Sequence, residues 1–410
     1  MATQTAAPAR PERDVPLLVV ACGCIIALMT FGPRSAMGLF QVPMLAEQGW
    51  DRGTFGLAIA IQNLMWGAGQ PFFGAIADKY GAGRVLVTSA VLYASGLWLM
   101  SVADAPVWLH IGAGLLVGLG IASGSFSIIM AVFARRVPPE KRVIVFGMGT
   151  AAGSAGMFVF TPLSQALIDA YGWADALVAL SAIMLLIPVL AIPLSGKPTD
   201  RPGAAAEYEQ TVAQALREAL GSKSYLLLTA GFFVCGFQVA FITAHFPAFI
   251  ADRGLDASLA AWALALIGFF NIIGSLASGV IGQRYSKPYF LALLYLGRSL
   301  LVTWYLLTPI TGTTTILFAS IMGLLWLSTV APTNALVATF FGTRYLGMLG
   351  GVVFFSHQIG SFLGVWMGGV LFDLYGTYDV VWWLGVALGV FAAIVHWPIE
   401  ERAVERPAIA

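Results

Sequence analysis

A dozen apolar stretches of membrane-spanning length alternate along this chain with short segments that hold nearly every charge. A bilayer core offers no water to backbone N–H and C=O groups, so a run of about 20 apolar residues must satisfy them internally as a helix. The runs predict helices over 17–40, 55–77, 84–103, 107–133, 143–168, 174–194, 224–249, 258–282, 289–308, 314–340, 347–371 and 379–398. The expected class is an all-α polytopic membrane protein. Only 10% of residues are charged, against about 25% in ordinary soluble domains. The first run is long and lacks an Ala-x-Ala end, so it is expected to be a retained helix and not a signal peptide. Cys22, Cys24 and Cys235 lie within apolar runs, which predicts packing and neither disulfide nor metal.

Positive loops stay in the cytoplasm. Of the 21 Lys and Arg, all but four fall in the tails or even-numbered loops. The four are Arg52 and Arg253 on the other side, and Arg34 and Arg298 inside apolar runs. Both ends are therefore expected in the cytoplasm, in a cell (inner or plasma) membrane, and nothing in the charge distribution suggests nucleic acid. A polar stretch containing Pro198, Pro202 and Gly203 suggests three parts: a six-helix half over 1–194, a cytoplasmic linker over 195–223, and a second half over 224–410. Shifting the sequence by 205 positions pairs Gly49 with Gly254, Asp51 with Asp256, Gly74 with Gly279, Tyr80 with Tyr285 and Gly118 with Gly323. The segment 167–172 matches 371–376 with a one-residue change of offset. The halves are thus expected to be parallel repeats with a binding site between them near the midplane.

The loop Gly74-Ala75-Ile76-Ala77-Asp78-Lys79-Tyr80-Gly81-Ala82-Gly83-Arg84 resembles the signature loop of the major facilitator superfamily, lacking only the basic residue before Gly83. Its repeat equivalent, reaching Arg284, is degenerate. The resemblance covers the whole chain and implies the twelve-helix major facilitator fold in two pseudo-symmetric halves. It also implies a gating role for Gly74, Asp78, Lys79, Gly81, Arg84 and Arg284.

Substrate chemistry must come from polar residues inside the helices, where an isolated cation costs at least about 2.5–3.5 kcal/mol. All 20 Asp and Glu fall in tails, loops or helix edges, so a core offering Arg and His suits an anion better than a cation. The stretch Gly149 to Met157 also lacks the Gly-Pro pair of drug antiporters. Arg34 follows Pro33 in the first helix and pairs with Val239 in the repeat, so symmetry does not require a charge there. It either receives a carboxylate in a bidentate grip or snorkels to the outer surface. His245, at matching depth in the seventh helix, either carries a proton and hydrogen-bonds the anion or is a satisfied structural histidine. His357 is the other intramembrane proton-carrier candidate. Gln62, Trp66 and Gln70 recur every four residues on one face, and the repeat carries them to Ile267, Asn271 and Ser275. Ser125, Asn334, His357, Gln358 and Ser361 are secondary candidates for which a helix-to-helix hydrogen bond is the alternative. Arg298 is expected to be structural or gating.

Pro33-Arg34-Ser35 resembles the Pro-Lys-Ser of the monocarboxylate transporter family's first helix. His245 followed by Asn271 is similar to a substrate-binding pair in its bacterial lactate-transporting members. That family's eighth-helix Arg is Ser275 here and its opening motif is absent near Asp14. The neighbouring oxalate/formate exchangers use eighth- and eleventh-helix cations, where this chain has Ser275 and His357. The resemblance implies a secondary transporter of a small organic anion, a monocarboxylate such as lactate or pyruvate, working by alternating access with proton symport. The alternatives are an organic-anion exchanger, an efflux carrier or a non-transporting sensor. No nucleophile–base spacing, phosphate loop or metal cluster points to an enzyme. The expected partners are a small carboxylate, protons and lipid; no cofactor is expected, and the chain is expected to act as a monomer.

Overall fold

A computed structural model of the chain describes residues 15–138, 141–196, 211–342 and 345–404, the side chains of Asp78, Val143 and Val212 excepted. Expectations that fall on Arg344, on the Asp78 side chain and on most of the linker lie outside these residues. Described are α1 (Leu17–Gln48), α2 (Arg52–Tyr80), α3 (Ala82–Ser101) and α4 (Pro106–Arg136). Backbone hydrogen bonding then continues over Arg142–Met184, but Gly172 stands at φ 83°, ψ 167°. Only glycine adopts that region without strain, and there the chain turns from α5 (142–171) into α6 (173–191). After a short amphipathic linker helix, Val212–Gly221, come α7 (Lys223–Ala251), α8 (Ala257–Arg284) and α9 (Lys287–Leu307). The last three are α10 (Gly312–Phe341), α11 (Leu346–Tyr375) and α12 (Asp379–His396).

Among the described residues, length and hydropathy alone single out ten stretches able to cross a membrane. One of these is the α5–α6 pair; α2 falls outside them because Gln62, Asn63 and Gln70 lower its hydropathy. Twelve crossings result. Boundaries differ most at α1, expected to stop at 40. It runs past the fully buried Gln41 and Pro43 to Gln48 and ends only where Gly49, at φ 68°, caps it.

Two helices are broken at positions related by the 205-residue shift. α4 has a π-helical stretch, His110–Leu116, and parts at Gly124 and Ser125; α10 parts between Trp326 and Thr329. Breaking a helix inside a bilayer frees backbone groups that side chains must satisfy. In the first break Ser89 Oγ donates to Gly120 O at 2.6 Å. In the second Arg298 Nε donates to Leu325 O at 3.1 Å and Nη2 to Trp326 O, while Asn271 Oδ1 accepts from Leu327 N at 3.0 Å.

One hydrophobic core is drawn mainly from α1–α6 and a second mainly from α7–α12. They meet along three lines: α1 beside α7, α2 against α11, and α8 against α5. On the far side, away from the chain ends, the halves are laced together by Arg52, Asp252, Asp373 and Tyr378. The molecule is closed on its far side.

Candidate functional site

Arg34 sits midway along α1, next to Pro33, which cannot donate the helical hydrogen bond that Met29 O would otherwise accept. Its guanidinium points inward. Nη2 donates to Asn63 Oδ1 at 2.8 Å, and the guanidinium carbon lies 4.5 Å from the Trp66 ring centre. Asn63 is aimed at α1 because its Nδ2 donates to Ile59 O at 2.8 Å. Trp66 is wedged edge-on between Phe31 of α1, 5.7 Å away, and Phe354 of α11, 5.2 Å away. These three rings stand on the side of Arg34 that faces the chain ends. Beside the guanidinium is a cavity of about 10 Å³, lined by Arg34, Gln62 and Asn63 from one half and Ala240, Thr243 and Ala244 from the other. It has room for roughly one water.

Among the described residues no Asp or Glu pairs with Arg34, and its Nε is buried without a partner. A hydrogen bond to a charged group contributes about 1.5–3 kcal/mol, and a desolvated cation–π contact about 2 kcal/mol. Asn63 and Trp66 therefore offset part of the cost of burial but supply no counter-charge. Gln62 Nε2 donates to Ala113 O of the π-helical stretch at 2.8 Å, leaving its Oε1 buried and unpartnered, as is Trp66 Nε1.

His245 does not line this cavity. It is fully buried, with Nε2 2.8 Å from Val365 O, and Nδ1 3.2 Å from Tyr378 Oη and 3.3 Å from Gln41 Nε2. It lies behind the far-side lacing. Arg52 grips Asp252 with two nitrogens at 2.5 and 2.6 Å, donates to Tyr378 Oη at 2.9 Å and stacks 3.7 Å over Phe372.

Asn271 is occupied in bridging: besides accepting from Leu327 N, its Nδ2 donates to Ser154 Oγ of α5 at 2.9 Å, and Ser275 Oγ donates to its Oδ1 at 3.1 Å. Gln70 Nε2 reaches Ser127 Oγ at 3.3 Å, just beyond the α4 break. His357 Nδ1 is 2.9 Å from Gln358 Oε1, and its ring stacks on Phe354, centroids 5.8 Å apart, so it lies behind the aromatic wedge. Asn334 is exposed, its Nδ2 donating to Val330 O at 3.1 Å. Arg298, 1% exposed, holds the α10 break and also donates to Cys235 Sγ at 3.5 Å. In the signature loop, Gly81 has φ 95°, and a Cβ there would stand 2.7 Å from Gly196 O. Lys79 reaches the Tyr80 ring at 5.2 Å, and Arg84 and Arg284 are exposed.

The residues brought together are thus Arg34, Gln62 and Trp66; His245, Asn271, Asn334 and His357 stand apart from them. Sequence reasoning missed Asn63, Gln41, Arg52 and Tyr378. Asn63 was within reach: it is the polar neighbour of Gln62, but the four-residue spacing leads down the adjacent face.

A two-core, twelve-crossing helical fold with broken helices, closed on one side and with a cation at mid-depth unpaired among the described residues, is the architecture of a membrane carrier. The profile of the Major Facilitator Superfamily matches residues 22–365, and the chain belongs to that family of membrane transporters. It is 28% identical over 377 residues to "Monocarboxylate transporter 13" of Bos taurus, covering 88% of this chain and 84% of that one. It is also 26% identical over 363 residues to "Uncharacterized MFS-type transporter YcxA" of Bacillus subtilis (strain 168), covering 85% and 86%. Among solved structures, a bacterial homologue of the human lysosomal transporter Spinster, titled inward-facing and unoccupied, superposes with TM-score 0.76 at 15% identity, over 97% of this chain and all of that one. A D-xylose-proton symporter gives TM-score 0.73 at 13% identity, over 95% and 100%.

Proposed function

We propose that this protein carries small monocarboxylates such as lactate or pyruvate, with protons, by alternating access, and that the side carrying its termini faces the cytoplasm. One observation carries the reading: Arg34 holds a buried charge at the contact of the two halves, with its Nε free and, among the described residues, no carboxylate beside it. A carboxylate would receive two N–H groups from the guanidinium, the geometry in which Arg binds carboxylates best. Gln62 Oε1, the unpartnered acceptor on the same cavity, would take a donor from the rest of the substrate.

The cavity is too small for any carboxylate, so loading requires α7 to move from α1 and α2, or the Phe31–Trp66–Phe354 wedge to turn aside. Either motion links occupancy to rocking of the halves. The named likeness to a monocarboxylate transporter and the positive bias of the terminal-side loops support substrate class and orientation respectively. In proteoliposomes, Arg34→Ala should lower lactate or pyruvate uptake by about 10- to 100-fold, the loss of one charge-assisted contact of about 1.5–3 kcal/mol. Membrane abundance should be unchanged. Uptake by Arg34→Ala equal to that of the parent would exclude the arginine as anchor.

A further inference from the structure

The buried imidazole of His245 joins the two halves on the far side. Nε2 lies 2.8 Å from Val365 O, a position only an N–H can hold, so this nitrogen carries a hydrogen. In the neutral ring Nδ1 is then an acceptor, and it faces two donors: the Tyr378 hydroxyl at 3.2 Å and the Gln41 amide nitrogen at 3.3 Å. The Tyr378 oxygen in turn accepts from Arg52 Nη1 at 2.9 Å. The chain Gln41, His245, Tyr378, Arg52, Asp252 thus runs from α1 to α7, to the start of α12, to α2 and back to α7, crossing between the halves three times. With the imidazole neutral every hydrogen bond in it has a donor and an acceptor; a proton on Nδ1 would set it against Gln41 Nε2 and oblige the Tyr378 hydroxyl to turn from donor to acceptor.

The charged groups around it favour the same state. α1 contributes no charge there, only Gln41; the start of α2 brings Arg52 and Asp51. The end of α7 brings Asp252 and Arg253, α11 brings Asp373, and α12 brings Asp379. The carboxylates are already engaged: Asp252 by Arg52, Asp373 by the N–H groups of Arg52 and Gly53, Asp51 by Thr54 N, and Asp379 by Arg253 at 3.6 Å. An imidazolium would therefore add a second cation next to Arg52 in a fully buried site, with no carboxylate among the described residues in contact with it.

We propose that His245 is the proton-binding residue of the far-side gate: the gate closes over a neutral imidazole, and a proton taken from the far side holds it open. The proton then acts on the joint between the halves and not on the substrate at Arg34. This rests on the alternating-access reading above but not on the identity of the substrate.

The sign of the pH effect follows. The open gate, with a hydrated imidazole, binds one more proton than the closed gate. Acid therefore favours opening, and the open-to-closed ratio rises by up to about tenfold per pH unit below about pH 6.5. The test is the distance distribution between spin labels at D104C and T311C, exposed far-side positions of the first and second halves, in substrate-free nanodiscs from pH 8 to 5. The parent should show a longer-distance population growing with acid, and His245→Gln should be flat. Tyr378→Phe, which keeps the imidazole but severs it from Arg52, should hold more open molecules at pH 8 while still responding to acid. A parent insensitive to pH, or a pH response that survives in His245→Gln, overturns the proposal. Arg34→Ala separates the two ideas: it should lose lactate uptake yet keep the pH-driven opening, so failure of the anion reading leaves the gate standing, and the reverse.

Discussion

Two edges of the molecule are related by the internal repeat, α2 against α11 and α8 against α5, and they close differently. At the first, Asp373 accepts from Arg52 N at 3.0 Å and Gly53 N at 2.6 Å, lidding the start of α2, where a carboxylate is favoured by the helix dipole. Two glycines permit this. A Cβ at Gly53 would stand 2.8 Å from Asp373 Oδ2, and one at Gly369 would stand 2.4 Å from Arg52 O. In the matching segment of the first half Asp169 takes the place of Asp373, Gln165 that of Gly369, and Ser258 that of Gly53. Gln165 Nε2 donates to Asp169 at 2.7 Å and keeps that carboxylate on its own helix, and α8 is capped by its own Asp256. A cavity of about 170 Å³, lined in part by Gln165, Ile168, Pro247 and Ala257, remains between α5 and α8. The same ancestral pattern thus yields a clamp where the small residues sit and a gap where a glutamine stands.

The comparison can be broken at either edge. Gly369→Gln transplants the wedge and should do most damage. A side chain has no room beside Arg52 O, and the forced separation of α2 from α11 should cost about 1–3 kcal/mol. It should also lengthen the far-side label distance at neutral pH. Asp373→Ala removes two hydrogen bonds capping the start of α2, leaving Asp51 on Thr54 N, and should cost about 1–2 kcal/mol, read as a lower midpoint of thermal unfolding. Its counterpart Asp169→Ala gives up one hydrogen bond within its own helix and should stay within about 0.5 kcal/mol of the parent. Equal losses from the two aspartates would show that the edges are energetically alike and that the clamp is only geometric.

The twelve crossings and the repeat were legible because both are written in transfer free energy and in residue spacing. The interruptions of α4 and α10 were not. Trp326 to Thr329 lies in a run whose mean hydropathy stays high despite Ser328 and Thr329, so hydropathy passes over it, and only the arrival of Arg298, Asn271 and Ser278 at its freed backbone groups marks the break. This is also why Asn271 appeared as a substrate ligand: a polar residue at mid-helix looks the same whether it serves a guest or a neighbouring backbone. Arg34 could be located but not its environment, since whether a guanidinium snorkels or turns inward depends on Asn63 and Trp66, which reach it from another helix. His245 was expected at the depth of Arg34 but stands with Gln41 and Tyr378 at the far-side lacing, and its partners Val365 and Tyr378 come from segments more than a hundred residues away, beyond any local pattern.

The chamber beside Arg34 holds little more than a single water, and this bears on any measured affinity. The shape described here cannot be the one that receives a guest, so observed dissociation constants are those of the receptive shape divided by its share of the population. A substitution that slackens the walls without touching the guanidinium, Ile59→Ala for one, would sharpen apparent affinity while leaving intrinsic recognition as it was.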